Sequence, residues 1–248
     1  MTVCAIFGLS SPLHATPIPT TYLWTAGSGL MPDQVDARMA LTDTAVPENP
    51  VLAGGRLTLS TSANAENMFY RQSGADITMP SQLRIEASLR VGPGQSTQTG
   101  PLAPRAHAAI VFSTADNVGN ALFFDQDRIF LLVGNDNLGP VALVDTVSAF
   151  HDYRIVVDGI GAGADITVFQ DDVLILSGDM FAGGIFTGAV PQVVFGDQTL
   201  AAFGSSEWTR FSFNAATGMV PEPGSLALFA VAIACAAGAR RRTSRSQA

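Results

Sequence analysis

LRIEASLRV, residues Leu83–Val91, decides the fold class. Leu83, Ile85, Ala87, Leu89 and Val91 alternate with Arg84, Glu86, Ser88 and Arg90. A strand turns successive side chains to opposite faces. This period of two therefore predicts an antiparallel strand, dry on one side and wet on the other. A helix would bring its apolar residues back every three or four positions, and no sustained pattern of that kind precedes residue 225.

Working outward, further strands are expected at Arg56–Thr61, Asn67–Gln72, His107–Ser113, Asn120–Phe124, Arg128–Val133, Val141–Val144, Tyr153–Asp158, Asp165–Gln170, Val173–Ser177, Gln192–Phe195 and Glu207–Asn214. Breaks rich in Gly, Asn, Asp and Pro separate them, as at Asn135–Pro140 and Gly159–Gly163, and Gln170-Asp171-Asp172-Val173 predicts a tight hairpin. About a dozen short strands without helices predict two packed antiparallel sheets. Met31–Leu52 reads as an early crossing segment and Gly92–Arg105 as a surface loop. The apolar phases place Ile85, Leu89, Ile110, Phe112, Phe130, Ile155, Val157, Ile166, Val168 and Phe211 in the core.

Of 248 residues, 47% are apolar and 14% charged, enough to build a large core and too little charge for a disordered acidic chain. Every basic residue is arginine, which excludes Schiff-base lysine chemistry and a phosphate-loop lysine. Four of the arginines lie beyond Pro221. The body, residues 16–220, is left with nine arginines against twenty acids, a charge of −11. Such a surface repels phosphate backbones, so nucleic acid is not an expected partner. Cys4 and Cys235 both lie in terminal apolar segments, which leaves the body without a disulfide or thiolate.

Those terminal segments carry addresses. VCAIFGL (3–9), then Leu13-His14-Ala15 before Thr16-Pro17-Ile18-Pro19, predicts a signal peptide over residues 1–15. No basic residue precedes the apolar run, so the signal is expected to begin upstream of Met1; a buried first strand is the alternative. At the other end, Pro221-Glu222-Pro223 precedes a 15-residue apolar run, Ser225–Ala239, and then Arg240, Arg241 and Arg242. The prolines stop a helix from extending backwards, the run predicts a short transmembrane helix over 225–239, and the arginines hold its end in the cytoplasm.

That order and spacing resemble the PEP-CTERM sorting signal of Gram-negative bacteria. The resemblance implies that an exosortase-type membrane protease removes the tail, 221–248. The product passes from an inner-membrane intermediate to the cell surface or the medium, with Pro221, Glu222, Pro223 and Arg240–Arg242 as the working residues. An ordinary membrane anchor is the alternative, and it too places the body outside the cytoplasm. A second resemblance rests on His151–Gly159 (HDYRIVVDG), Asp165–Val173 (DITVFQDDV), Val194–Asp197 (VFGD) and Ser206–Phe211 (SEWTRF), with Trp24 and Gly54–Thr61 (GGRLTLST) fitting the first half. These look like a concanavalin A-like, laminin-G-like jelly roll. The resemblance implies an all-β, two-sheet sandwich for residues 16–220, and a shape rather than an activity.

Little in the body does chemistry. Hydrolases on such sandwiches carry two or three carboxylates on one strand, and Glu48, Glu66, Glu86 and Glu207 are not spaced that way; Asp125 and Asp127 are the nearest substitute. His151 and Asp152 face opposite sides of a strand and do not form a dyad. Calcium is the one cofactor for which ligands are present, since Asp- and Asn-rich loops supply oxygens. The candidate groups are Asp116, Asn117 and Asn120; Asp125 with Asp127; and Asn135, Asp136 and Asn137. The same runs are ordinary turn chemistry. The expectation is an exported, non-enzymatic module that binds extracellular polysaccharide or matrix or serves a structural role. A glycan-active hydrolase or lyase with an atypical site is the alternative.

Overall fold

The computed structural model describes residues 20–45, 47–63, 65–74, 77–96, 105–134, 137–183, 190–199 and 201–217. In chain order the elements are β1 (Tyr22–Thr25), a 3-10 turn (Ala26–Ser28), the one-turn helix α1 (Pro32–Val35), β2 (Ala40–Asp43), β3 (Val51–Ala53), β4 (Arg56–Ser60), β5 (Met68–Ser73) and β6 (Ile77–Thr78). The chain continues through β7 (Gln82–Ser96), β8 (Ala108–Ser113), β9 (Val118–Phe124), β10 (Arg128–Val133), β11 (Asn137–Leu143), β12 (His151–Asp158) and β13 (Asp165–Gln170). The last strands are β14 (Val173–Asp179), β15 (Phe181–Ala182), β16 (Gln192–Asp197), β17 (Ala202–Phe213) and β18 (Ala216–Thr217).

The strands assemble into two antiparallel sheets packed face to face. The first runs β14-β13-β12-β7-β17-β4-β3, with β1 also on β17; the second runs β11-β10-β9-β8-β16-β5-β2, with β15 on β9. β6 and β18 form a separate short pair. The expected crossing segment does cross, because β1 and β3 belong to the first sheet and β2 to the second. The two aspartates of the predicted hairpin adopt φ of 49° (Asp171) and 65° (Asp172), the left-handed pair that a two-residue turn between twisted strands requires.

Phe195 on β16 centres the core. Its ring lies 4.3 Å from Phe211, 5.0 Å from Trp208, 5.5 Å from Tyr70 and 6.2 Å from Trp24. The buried indoles keep their N–H groups satisfied, Trp24 on the Leu30 carbonyl at 2.8 Å and Trp208 on the Ser206 hydroxyl at 2.8 Å. Nine of the ten expected core residues join this cluster. Phe130 is also buried, but it faces the other way, into a second cluster with Phe69, Val111, Phe123, Leu132 and Val194 on the outer face of the second sheet.

That difference has a simple origin. β8, β9 and β16 are buried at every position, so the middle of the second sheet is dry on both faces, while its edge strands β2 and β11 are largely exposed. The middle strands accordingly read as unbroken apolar runs, which hide the phase that alternation reveals. β7 does alternate, as expected from Leu83–Val91.

Two expected breaks are strands instead. β7 runs on to Ser96 by pairing with the start of β17, Ala202 opposite Ser96, so the first part of Gly92–Arg105 is not a loop. β11 begins at Asn137 and contains Pro140. Proline is tolerated there because β11 is the edge of its sheet, and the ladder slips between Phe130 and Leu132 to pass it.

Candidate functional site

The ends of β4, β7 and β17 and the β9–β10 turn border an open surface pocket of about 420 Å³. Its lining is uncharged among the described residues: the hydroxyls of Ser60, Thr61, Ser62 and Ser205, the amides of Gln95 and Gln126, and the rings of Phe203 and Pro93. Local sequence makes the space. Gly94 and Gly204 face each other across β7 and β17. A Cβ on Gly204 would stand 2.6 Å from the Gly94 Cα, and one on Gly94 would stand 2.1 Å from the His107 ring. Only paired glycines let the His107 ring lie against the two strands, where its Nε2 is 3.0 Å from the Ser205 carbonyl. Burial pushes His107 below the ordinary imidazole range, against backbone hydrogen bonds to Ser205 and Gly92 and the pull of Asp125. Gln126 Nε2 donates to the Gly94 carbonyl at 3.0 Å and fixes the β9–β10 turn onto β7.

Behind the Thr61 wall lies Asp197, at 3% exposure. The Thr61 hydroxyl donates to Asp197 Oδ2 at 2.6 Å, and the Thr199 amide donates to Oδ1 at 3.0 Å. Thr61 Oγ1 in turn accepts from the Gly204 amide at 3.3 Å. Burial pushes the Asp197 carboxyl up to about 7, against those two hydrogen bonds, and Glu66 adds to the rise.

A second pocket, of about 370 Å³, opens on the outer face of the first sheet and is lined by charge: Arg84, Glu86, Asp152, Arg154, Asp171, Asp172 and Arg210. Its groups are largely paired with one another. Glu86 accepts from both Arg84 and Arg210. Arg154 meets Asp172 at 3.1 Å and stacks over the Phe169 ring at 4.3 Å. His151 Nδ1 lies 2.7 Å from Asp171, so its partner is across the β13–β14 turn rather than the adjacent Asp152. Burial works to raise the Asp171 carboxyl, but hydrogen bonds with His151 and the Asp152 amide hold it below its ordinary range.

The candidate calcium ligands are dispersed. Asp116 and Asn117 sit in the β8–β9 turn, with Asn117 at φ 56°. Asn120 points between the sheets, where its amide donates to the carbonyls of Leu132 and Asp179. Asp125 Oδ2 is 3.1 Å from Arg128, and Asp127 is largely exposed at 3.9 Å from the same guanidinium. This pair falls well short of the six to eight oxygens that calcium takes. Asn137 lies in β11, and Asn135 and Asp136 lie outside the described residues. Among the described residues no three His, Cys, Asp or Glu side chains converge as metal ligands. The segment expected to be a signal peptide (1–15), Pro221, Glu222, Pro223, the apolar run and Arg240–Arg242 lie outside the described residues. Among the described residues no helix is long and apolar enough to cross a membrane.

Asp197 entered the sequence reading only as the end of VFGD, with no sign of its burial, and Gly94 and Gly204 were not paired there. The one usable signal for the pocket was the pair of glycines in otherwise strand-like segments, which marks close backbone approach.

The chain has no match among curated proteins. Its fold is similar to several solved structures at low identity. The endo-1,3-β-glucanase from Streptomyces sioyaensis is 15% identical, covering 84% of this chain and 100% of its own, with a TM-score of 0.48. The GlcNAcα1-4Gal-releasing endo-β-galactosidase from Clostridium perfringens is 10% identical over 80% of this chain and 64% of its own, with a TM-score of 0.47. The potassium-bound Emp46p carbohydrate recognition domain is 11% identical over 76% of this chain and 93% of its own, with a TM-score of 0.43. None of these transfers an activity to the chain. Residues 220–242 match the family described as the PEP-CTERM protein-sorting motif, so the chain joins a two-sheet β-sandwich to a segment that matches a protein-sorting signal.

Proposed function

We propose that this chain is an exported surface protein, cleaved beside Pro221-Glu222-Pro223 by an exosortase-type membrane protease, whose sandwich binds extracellular polysaccharide without cutting it. In this reading residues 1–15 direct export, 16–220 form the binding body and 221–248 are discarded. The carrying observation is the uncharged pocket of about 420 Å³. A sugar hydroxyl both donates and accepts, and so do the hydroxyls and amides that line it. The apolar face of a sugar ring packs against an aromatic such as Phe203. The size lies within the range of pockets that take small ligands.

The hydrolase reading rests on one observation, the four carboxylates of the charged pocket. Hydrolysis needs one protonated carboxyl facing a second across the scissile bond, about 5–10 Å apart. Glu86 instead sits between two guanidinium groups, and Asp171 and Asp172 are bound to His151 and Arg154. Among the described residues no carboxylate lines the uncharged pocket.

The test is a glycan array probed with the protein, with and without calcium, followed by assay of reducing ends. Retention of neutral polysaccharide that Phe203→Ala and Gln126→Ala abolish, without release of reducing ends, is the expected result. Release of reducing ends that is lost in Glu86→Gln would establish the hydrolase. Retention only with calcium would bring Asp125 and Asp127 back as ligands.

A further inference from the structure

We infer that Asp197 is a positioning residue that decides, through Thr61, whether the uncharged pocket offers a hydrogen-bond donor to its ligand. The inference rests on the polysaccharide reading of that pocket, and its geometry is independent of which glycan enters.

Thr61 lines the pocket and is hydrogen-bonded to the acid behind it. Its hydroxyl has one proton, and in the ionised state of Asp197 that proton is committed to Oδ2 at 2.6 Å. The Gly204 amide, at 3.3 Å, occupies the hydroxyl oxygen from the other side. Thr61 then presents the pocket with no donor. When Asp197 takes up a proton, the acid itself becomes a donor and needs an acceptor. Oδ1 faces the Thr199 amide, which cannot reverse its polarity. Oδ2 faces a hydroxyl, which can rotate. The proton therefore settles on Oδ2 and is given to Thr61 Oγ1, and the hydroxyl proton of Thr61 turns to the pocket that Thr61 lines.

The surroundings leave this exchange to Asp197. The charged group that acts on it is Glu66 in the β4–β5 connection, whose carboxylate is tied to the Ser62 and Ala63 amides at 2.7 Å and 3.0 Å. Met68, opposite it on β5, and Thr61 and Thr199 carry no charge. His107 lies on the far side of the Gly94–Gly204 pair, bound to Ser205. The carboxyl's midpoint of about 7 puts the exchange within the range of an extracellular medium.

The experiment is a calorimetric titration of the full chain, in mild detergent, with a soluble neutral β-glucan from pH 5 to 9. A donor bond gained in the pocket should strengthen binding about tenfold at the acid end. Asp197→Asn, whose amide donates to Thr61 at every pH, should bind tightly throughout. Thr61→Val should bind weakly throughout, and Thr61→Ser should restore the dependence. Binding that is equal at pH 5 and 9 in the wild type would overturn the inference while leaving the polysaccharide reading intact. If the glucan does not bind at any pH, that reading fails for this ligand and the amide nitrogen shifts of Thr199 and Gly204 decide the inference. Joint titration of both amides, absent in Asp197→Asn, upholds it, and flat shifts overturn it.

Discussion

Thr61 and Asp197 stand 136 positions apart, and a 2.6 Å hydrogen bond joins them. Thr61 follows β4 of the first sheet and Asp197 ends β16 of the second, so the bond ties the two layers at the end where the pocket opens.

The pH dependence of stability follows from that acid. Its carboxyl titrates near 3.8 when unfolded and at about 7 when folded. Between those values the folded state holds a proton that the unfolded state releases. The stabilising contribution is therefore complete below the unfolded value and is lost as pH rises through about 7. Asp197→Asn should be more stable than the wild type at pH 8, by on the order of 2–4 kcal/mol, and indistinguishable from it below pH ~4. Urea midpoints at the two pH values provide the check.

Phe195, at 0% exposure, packs across the sheets on Trp24, Trp208 and Phe211 and within its own sheet on Tyr70. Phe195→Ala should cost about 3–5 kcal/mol, a large part of the 5–15 kcal/mol that holds a typical domain. Calorimetry should show one cooperative transition in the wild type, lowered sharply in the variant. Two transitions in the wild type would contradict a single core.

Gly204 has no room for a side chain. Its φ of 158° and the 2.6 Å approach of a Cβ to the Gly94 backbone mean that Gly204→Ala must part β7 from β17. A loss of about 1–3 kcal/mol is expected from the backbone alone, together with loss of glycan retention. Ser205→Ala, one residue away and half-buried, should cost less than Gly204→Ala, because it removes one hydroxyl and leaves the backbone as it is.

The sorting signal makes its own prediction. Replacing Pro221-Glu222-Pro223 by alanines in a host with the processing protease should leave uncut protein in the inner membrane. On the proposed reading the prolines would keep a cut site extended and Arg240–Arg242 would hold the far end of the apolar run inside. Fractionation and blotting report the outcome, and export equal to wild type would leave the tail as an ordinary anchor.

Sequence alone determined whatever rests on neighbours along the chain. Alternation in Leu83–Val91 gave the strand and its wet face, Asp171-Asp172 gave the hairpin, and the tail gave the sorting signal, because each is a property of consecutive side chains. Tertiary structure decided what depends on register between distant strands. It turned Phe130 outward into the second cluster, placed Pro140 in an edge strand, and brought Arg210 to Glu86 and Thr61 to Asp197. Unbroken apolar runs carry no phase, and the burial that raises Asp197 exists only where the ends of β4, β16 and β17 converge. No stretch of consecutive residues contains that convergence.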